Sequence, residues 1–109
     1  MSVQAESEAE KLRRVPGIYF ADSPSGRQAY IVGTGLGVFE IVRELRDLDT
    51  DWEELRGAFH WLSEEQLRTA LVYYEAYPEE IDAQFREEEY WTPERTWERY
   101  PFTKPSWRP

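Results

Sequence analysis

The segment WLSEEQLRTALVYYEAYPEEID, residues 61–82, carries the start signal, apolar stripe and stop signal of one helix and the opening of the next. Ser63-Glu64-Glu65-Gln66 has the S-x-x-Q form of a capping box, in which hydroxyl and amide satisfy each other's free backbone N–H groups. Leu67, Ala70, Leu71 and Tyr74 then recur at helical spacing, which predicts a helix over 64–77 with that stripe inward. Pro78 interrupts it, because the ring removes a donor and clashes one turn back. Glu79 and Glu80 suit the first turn of a following helix that carries Ile81 and Phe85 and ends near Glu89.

Upstream, Thr50-Asp51-Trp52-Glu53 repeats the capping form, so a helix is expected from about Asp51 with Trp52, Leu55 and Phe59 inward. Val38, Ile41, Val42 and Leu45 make the stripe of an earlier helix over about 37–46. Before it, residues 17–21 (GIYFA) and 27–32 (RQAYIV) are short runs rich in β-branched and aromatic residues. The turn-forming DSPSG at 22–26 separates them, which predicts a β-hairpin. A lone two-stranded hairpin is marginal in water, so it must pack on the helices. Residues 1–14 have little apolar content and no useful periodicity, and read as a mobile N-terminal arm. Residues 15–89 then form the hairpin and helical domain.

Residues 90–109 hold four of the seven prolines and six aromatics. Thr92-Pro93-Glu94 can cap one or two helical turns; beyond Tyr100 no helix is expected. Disordered linkers are poor in aromatics, so this tail must cover apolar surface, either on its own domain or dimer mate or on a separate partner. The candidate partner-binding residues are Trp91, Arg95, Trp97, Arg99, Tyr100, Phe102, Trp107 and Arg108. Removing everything after Asp82 should abolish partner binding and leave the helices folded. The predicted fold class is mainly α with a short N-terminal β-hairpin: a small helix-turn-helix-like helical domain plus an extended C-terminal tail.

The chain has 109 residues, enough for one core. With no cysteine and one histidine, disulfides, thiolate metal sites and a cysteine nucleophile are excluded, and a cytoplasmic setting is expected. The longest apolar runs are a few residues long, which argues against membrane insertion. Net charge is −9, and all of it lies in residues 36–82, where thirteen acids face Arg43, Arg46, Arg56 and Arg68. Such a region repels a phosphate backbone.

Three patterns invite chemistry. The GTGLG connector at 33–37 has neither the spacing nor the lysine of a phosphate loop, and reads as a tight link needing positive φ angles. His60 lacks the partners for a metal site or a catalytic relay. The pairs Glu53/Glu54, Glu64/Glu65 and Glu79/Glu80 sit in helix first turns, where the helix dipole favours them. No enzyme, cofactor or small-molecule substrate is expected. The short link into the helix at 64–77 also has helix-turn-helix length, which would offer Ser63, Gln66, Arg68 and Thr69 to a major groove. Lys11, Arg13, Arg14 and Arg27 are then the expected phosphate contacts.

YIVGTGLGVFEIVREL (30–45) followed by residues 61–82 resembles the bacterial family catalogued as domain of unknown function 433. That family shows an extended stretch ending in Gly-Thr-Arg, a Val-x-x-Ile helix start, and Leu-Thr-x-x-x-hydrophobic-x-x-Ala-Leu-x-Tyr-Tyr followed by Pro-Glu-Glu-Ile. Gly33, Thr34, Val38, Ile41, Leu62, Ala70, Leu71, Tyr73, Tyr74, Pro78, Glu79, Glu80 and Ile81 fall on the pattern. Gly35 stands where the family has Arg, and Ser63 where it has Thr. The resemblance covers about residues 28–82. It implies a helix-turn-helix-like domain and a VapB-type antitoxin role: a homodimer that binds operator DNA and blocks a PIN-like ribonuclease toxin with its C-terminal segment. A dimeric DNA-binding regulator without a toxin, or an interaction module of another role, is the alternative.

Overall fold

The computed structural model describes residues 6–24, 26–49 and 51–104. Among them are six α-helices, a two-stranded antiparallel sheet and one 3-10 turn, in the order α1 (Glu8–Arg14), β1 (Ile18–Ser23), β2 (Gly26–Ile31), α2 (Val38–Asp47), α3 (Trp52–Ala58), α4 (Glu64–Ala76), α5 (Pro78–Tyr90), α6 (Pro93–Arg99) and the 3-10 turn Pro101–Thr103. The mainly α fold with an N-terminal hairpin is therefore as the sequence predicts.

The hairpin shows why its register holds. Ile18 pairs with Ile31, Tyr19 with Tyr30 and Phe20 with Ala29. Alternation then turns Ile18, Phe20, Ala29 and Ile31 to the helices and stacks Tyr19 on Tyr30 outside, ring centroids 5.4 Å apart. A one-residue slip would exchange these faces. In the connector, Gly33 and Gly35 both take positive φ, at 80° and 71°. Between them the Thr34 hydroxyl donates to the Ile31 carbonyl and accepts from the Leu36 N–H, both at 2.9 Å. A Cβ on Gly35 would meet nothing within 4 Å, so Gly35→Ala isolates backbone strain. Its expected cost is about 1 kcal/mol, measured as a shift in urea midpoint at unchanged slope.

α2 is the central helix. Val38, Ile41 and Val42 are fully buried, and the helix packs against β2, α3, α4 and α5. Leu55 of α3, Leu67, Ala70 and Tyr73 of α4, Ile81 of α5, and Val15, Ile18, Ala29 and Ile31 complete the core. Arg46 ties three helices together, donating from Nη2 to the Tyr74 hydroxyl at 2.7 Å and to Asp82 at 2.8 Å. Its guanidinium also lies 3.8 Å from the centroid of the Phe85 ring. Phe85 packs on Phe39 at 4.6 Å, and Arg43 pairs with Glu88 at 3.0 Å, so α5 is held to α2 well past Asp82.

Several expectations are corrected. Over Glu8–Arg14 the N-terminal arm is helix α1, capped by Ser7, whose hydroxyl accepts from the Glu10 N–H. Asp51 caps α3, its side chain accepting from the Glu54 N–H, so the cap lies one residue after the position assigned to Thr50, which is itself outside the described residues. Tyr73 is the fully buried tyrosine of α4, while Tyr74 turns its hydroxyl to Asp82 and Arg46. Trp52 and Phe59 are half-buried beside the wholly buried Leu55. After Tyr100 a 3-10 turn follows. A cut after Asp82 would remove Phe85 from the packed helices, so it would disturb the domain as well as the segment expected to begin at Tyr90. The Ser63–Gln66 capping box is formed as predicted, with bonds of 2.9 and 3.0 Å.

Candidate partner-binding site

The two anchors of α5 on α2, Phe85 and Glu88, fix the direction in which the chain leaves the domain at Tyr90. There the Trp91 N–H closes the helix on the Glu87 carbonyl. Thr92 restarts it, its hydroxyl accepting from the Arg95 N–H at 3.2 Å, and Pro93 occupies the first turn, where a missing N–H costs nothing. α6 packs chiefly against the 3-10 turn that follows it. Neither contributes a residue to the buried core.

This short segment carries aromatic surface without covering it. Phe102 is 85% exposed and Tyr90 55%, with Trp91 and Tyr100 also exposed. Tyr90 and Trp91 meet edge to face at 5.1 Å, and Tyr100 and Phe102 at 6.1 Å. Arg95 donates to the Tyr90 carbonyl at 2.9 Å with its guanidinium 4.5 Å from the ring centroid, and Arg99 lies 5.8 Å from the Tyr100 ring. Tyr90, Trp91, Arg95, Glu98 and Arg99 line a shallow hollow of about 320 Å³. Trp97 is half-buried and engaged. The structure thus brings together Trp91, Arg95, Arg99, Tyr100 and Phe102 of the predicted set and adds Tyr90; Trp107 and Arg108 lie outside the described residues. Aromatic faces held beside oriented guanidinium groups are the composition of a protein-binding anchor.

The residues proposed to contact DNA are placed differently. Lys11 pairs with Glu80 at 3.4 Å and lies over the Tyr77 ring at 5.0 Å, leaving its side chain 17% exposed. Arg14 pairs with Glu6 at 2.9 Å, and Arg27 with Glu8 at 2.9 Å and Asp22 at 3.4 Å. Arg13 is exposed. Ser63 and Gln66 serve the capping box, and Gln66 also donates to the Val32 carbonyl. Thr69 donates to the Glu65 carbonyl, and Arg68 pairs with Glu64 at 2.6 Å.

Lys11 belongs to a network that joins α1 to the α4–α5 junction. The Tyr73 hydroxyl donates to Glu80 in a short bond, and the Tyr77 hydroxyl donates to Glu6 at 2.6 Å. Burial first, and then the Glu80 carboxylate, push the Tyr73 hydroxyl far above its ordinary value of 10.0. Arg27 holds Glu8 below its ordinary 4.5, as Arg68 does Glu64. Lowered carboxyl groups stabilise the fold above their unfolded pKa, a contribution lost as pH falls through the folded value and small here because both groups are exposed. A tyrosine with raised pKa favours unfolding once pH passes 10, where only the unfolded chain ionises. Denaturant midpoints are therefore expected to be flat between about pH 5 and 9 and to fall above 10, with a smaller alkaline fall in Tyr73→Phe.

Glu53, Glu54, Glu64, Glu65, Glu79 and Glu80 all lie in helix first turns. Among the described residues no group of three or more His, Asp or Glu is placed to hold a metal ion, and no helix is long and apolar enough to cross a membrane. His60 is exposed, edge-on to Trp61 at 5.3 Å. Compared with protein-family models, with curated proteins and with solved structures, the chain matches none.

Proposed function

We propose that this chain is a non-catalytic, antitoxin-like binding protein whose C-terminal segment from Tyr90 onward docks on and neutralises a PIN-like ribonuclease. The observation that carries the reading is the run of exposed aromatics Tyr90, Trp91, Tyr100 and Phe102 on a segment that contributes nothing to the buried core. Exposed aromatic area of this kind marks an interaction site. The radius of gyration of 16.4 Å, against about 13 Å for a compact domain of this length, agrees with a segment that projects. Arg95 and Arg99 match the acidic, Mg²⁺-holding centre of such a nuclease, where a guanidinium pairs with carboxylates in fixed geometry. The resemblance of residues 28–82 to the domain of unknown function 433 family supplies the partner class. A homodimer in a cytoplasmic setting belongs to the same reading.

The bases that operator binding would need are mostly paired with acids of the same chain. The test is RNA cleavage by a PIN-like ribonuclease, with Mg²⁺, at rising amounts of the full chain. Cleavage is expected to stop at a stoichiometric ratio. Undiminished cleavage at excess would overturn the assignment.

A further inference from the structure

α4 has apolar residues on two opposite faces. Leu67, Ala70 and Tyr73 are buried in the core, whereas Leu71, expected inward from its spacing, is half-buried and lines an outward groove with Val72, which is 49% exposed. Arg68 stands one turn before this apolar pair and Glu75 one turn after it, so the four residues form a single outward stripe. A groove of about 400 Å³ runs beside it, lined by Trp52, Arg68, Leu71, Val72 and Glu75. Arg68 is held over the Trp52 ring at 5.3 Å and pairs with Glu64 of its own helix at 2.6 Å, so a contact with Glu75 of a second copy adds to a guanidinium already oriented by Glu64; Glu75 is exposed.

The order of these residues is symmetric. A two-fold axis crossing α4 between Leu71 and Val72 exchanges Leu71 with Val72 and Arg68 with Glu75. Two copies packed antiparallel about that axis place each Val72 in the groove of the other, against Leu71 and Trp52. Each Arg68 then faces Glu75 of the second copy. Opposite charges at both ends of an apolar centre, related by the same axis, are the signature of an isologous contact. A partner of different sequence would not require this palindromic order.

We infer that the outward face of α4 is the homodimer contact of this protein. The inference gives the homodimer of the proposed reading its surface and involves no residue of the C-terminal segment, so the two fail separately. If nuclease inhibition persists while the dimer tests fail, only this assignment falls.

Sedimentation of the full chain tests it. The wild type is expected at twice the 13.0 kDa of one chain. Glu75→Arg, which sets two guanidinium groups against each other at both ends of the contact, is expected to weaken the dimer at least about tenfold. The exchange Arg68→Glu with Glu75→Arg restores opposite charges and is expected to return the dissociation constant to within about threefold of wild type. Val72→Lys, at a position outside the core, breaks the apolar centre by a second route. A wild type that stays monomeric, a dimer unchanged by both Glu75→Arg and Val72→Lys, or a charge exchange that restores nothing would overturn the assignment.

Discussion

Replacing Trp91, Tyr100 and Phe102 together with alanine is expected to weaken binding of the partner nuclease by about a thousandfold or more while leaving the domain folded. The first half follows from what exposed aromatics contribute once buried in an interface: anchors of this type cost about 2 kcal/mol or more each on truncation, and three of them together exceed about 4 kcal/mol even with partial redundancy. The second half follows from location. None of the three belongs to the buried core, and α6 packs chiefly on the turn behind it. Substitution of exposed side chains away from core features stays within about 0.5 kcal/mol each. Titration calorimetry and a urea melt of the same preparation check both halves. A variant that loses binding and stability together would mean that the segment is a structural part of the domain.

Tyr73→Ala is expected to have the opposite profile, a large loss of stability of about 4 kcal/mol. Tyr73 is completely buried, meets Phe20 edge to face at 6.3 Å and Tyr77 at 5.0 Å, and bonds to Glu80. Truncation removes a ring from the point where β1, α4 and α5 converge, and the loss of a buried aromatic costs about 3–5 kcal/mol. Small domains have only about 5–15 kcal/mol in total, so the variant approaches the unfolding threshold. Tyr73→Phe keeps the ring and loses one hydrogen bond to a charged acceptor that Lys11 continues to hold, for an expected loss of about 1–2 kcal/mol. The difference between the two variants, read from urea midpoints, separates packing from the α1 network. Equal losses would show that the network, and not the ring volume, holds this junction.

What can be read from the sequence depends on whether a signal is local. The Ser63 capping box, the proline break at Tyr77–Pro78 and the Thr92-Pro93 restart are contained in four or five consecutive residues, and each forms where those residues place it. α1 carries the same kind of signal: Ser7-Glu8-Ala9-Glu10 has the capping form, followed by Lys11, Arg13 and Arg14 at the helix end. It escapes a reading by periodicity because α1 has no buried stripe, and its attachments are long-range pairs such as Tyr77 with Glu6 and Arg27 with Glu8. Periodicity cannot see a helix held by its charged residues.

The choice between Tyr73 and Tyr74 has a similar cause. Both positions fit the stripe, and only the three-dimensional placement of Phe20, Tyr77 and Glu80 selects Tyr73 for the interior. The candidate site divides in the same way. Its aromatic content and its start near Tyr90 are visible in composition, whereas the attachment of residues 83–89 to the domain, through the contacts of Phe85 and Glu88 with α2, is not. The DNA-contact set on α4 rests on connection length alone. Connection length does not reveal that Ser63, Gln66 and Thr69 bond to backbone groups of their own chain or that Arg68 pairs with Glu64.

The central claim is that the chain from Tyr90 onward binds the partner and the chain before it folds without that segment. Titrating the PIN-like ribonuclease into the full chain and into a chain ending at Glu89, with thermal melts of both proteins, tests this most directly. The account predicts tight binding to the full chain alone and closely similar melting midpoints. A shortened chain that binds equally well, or one that no longer folds, would contradict it.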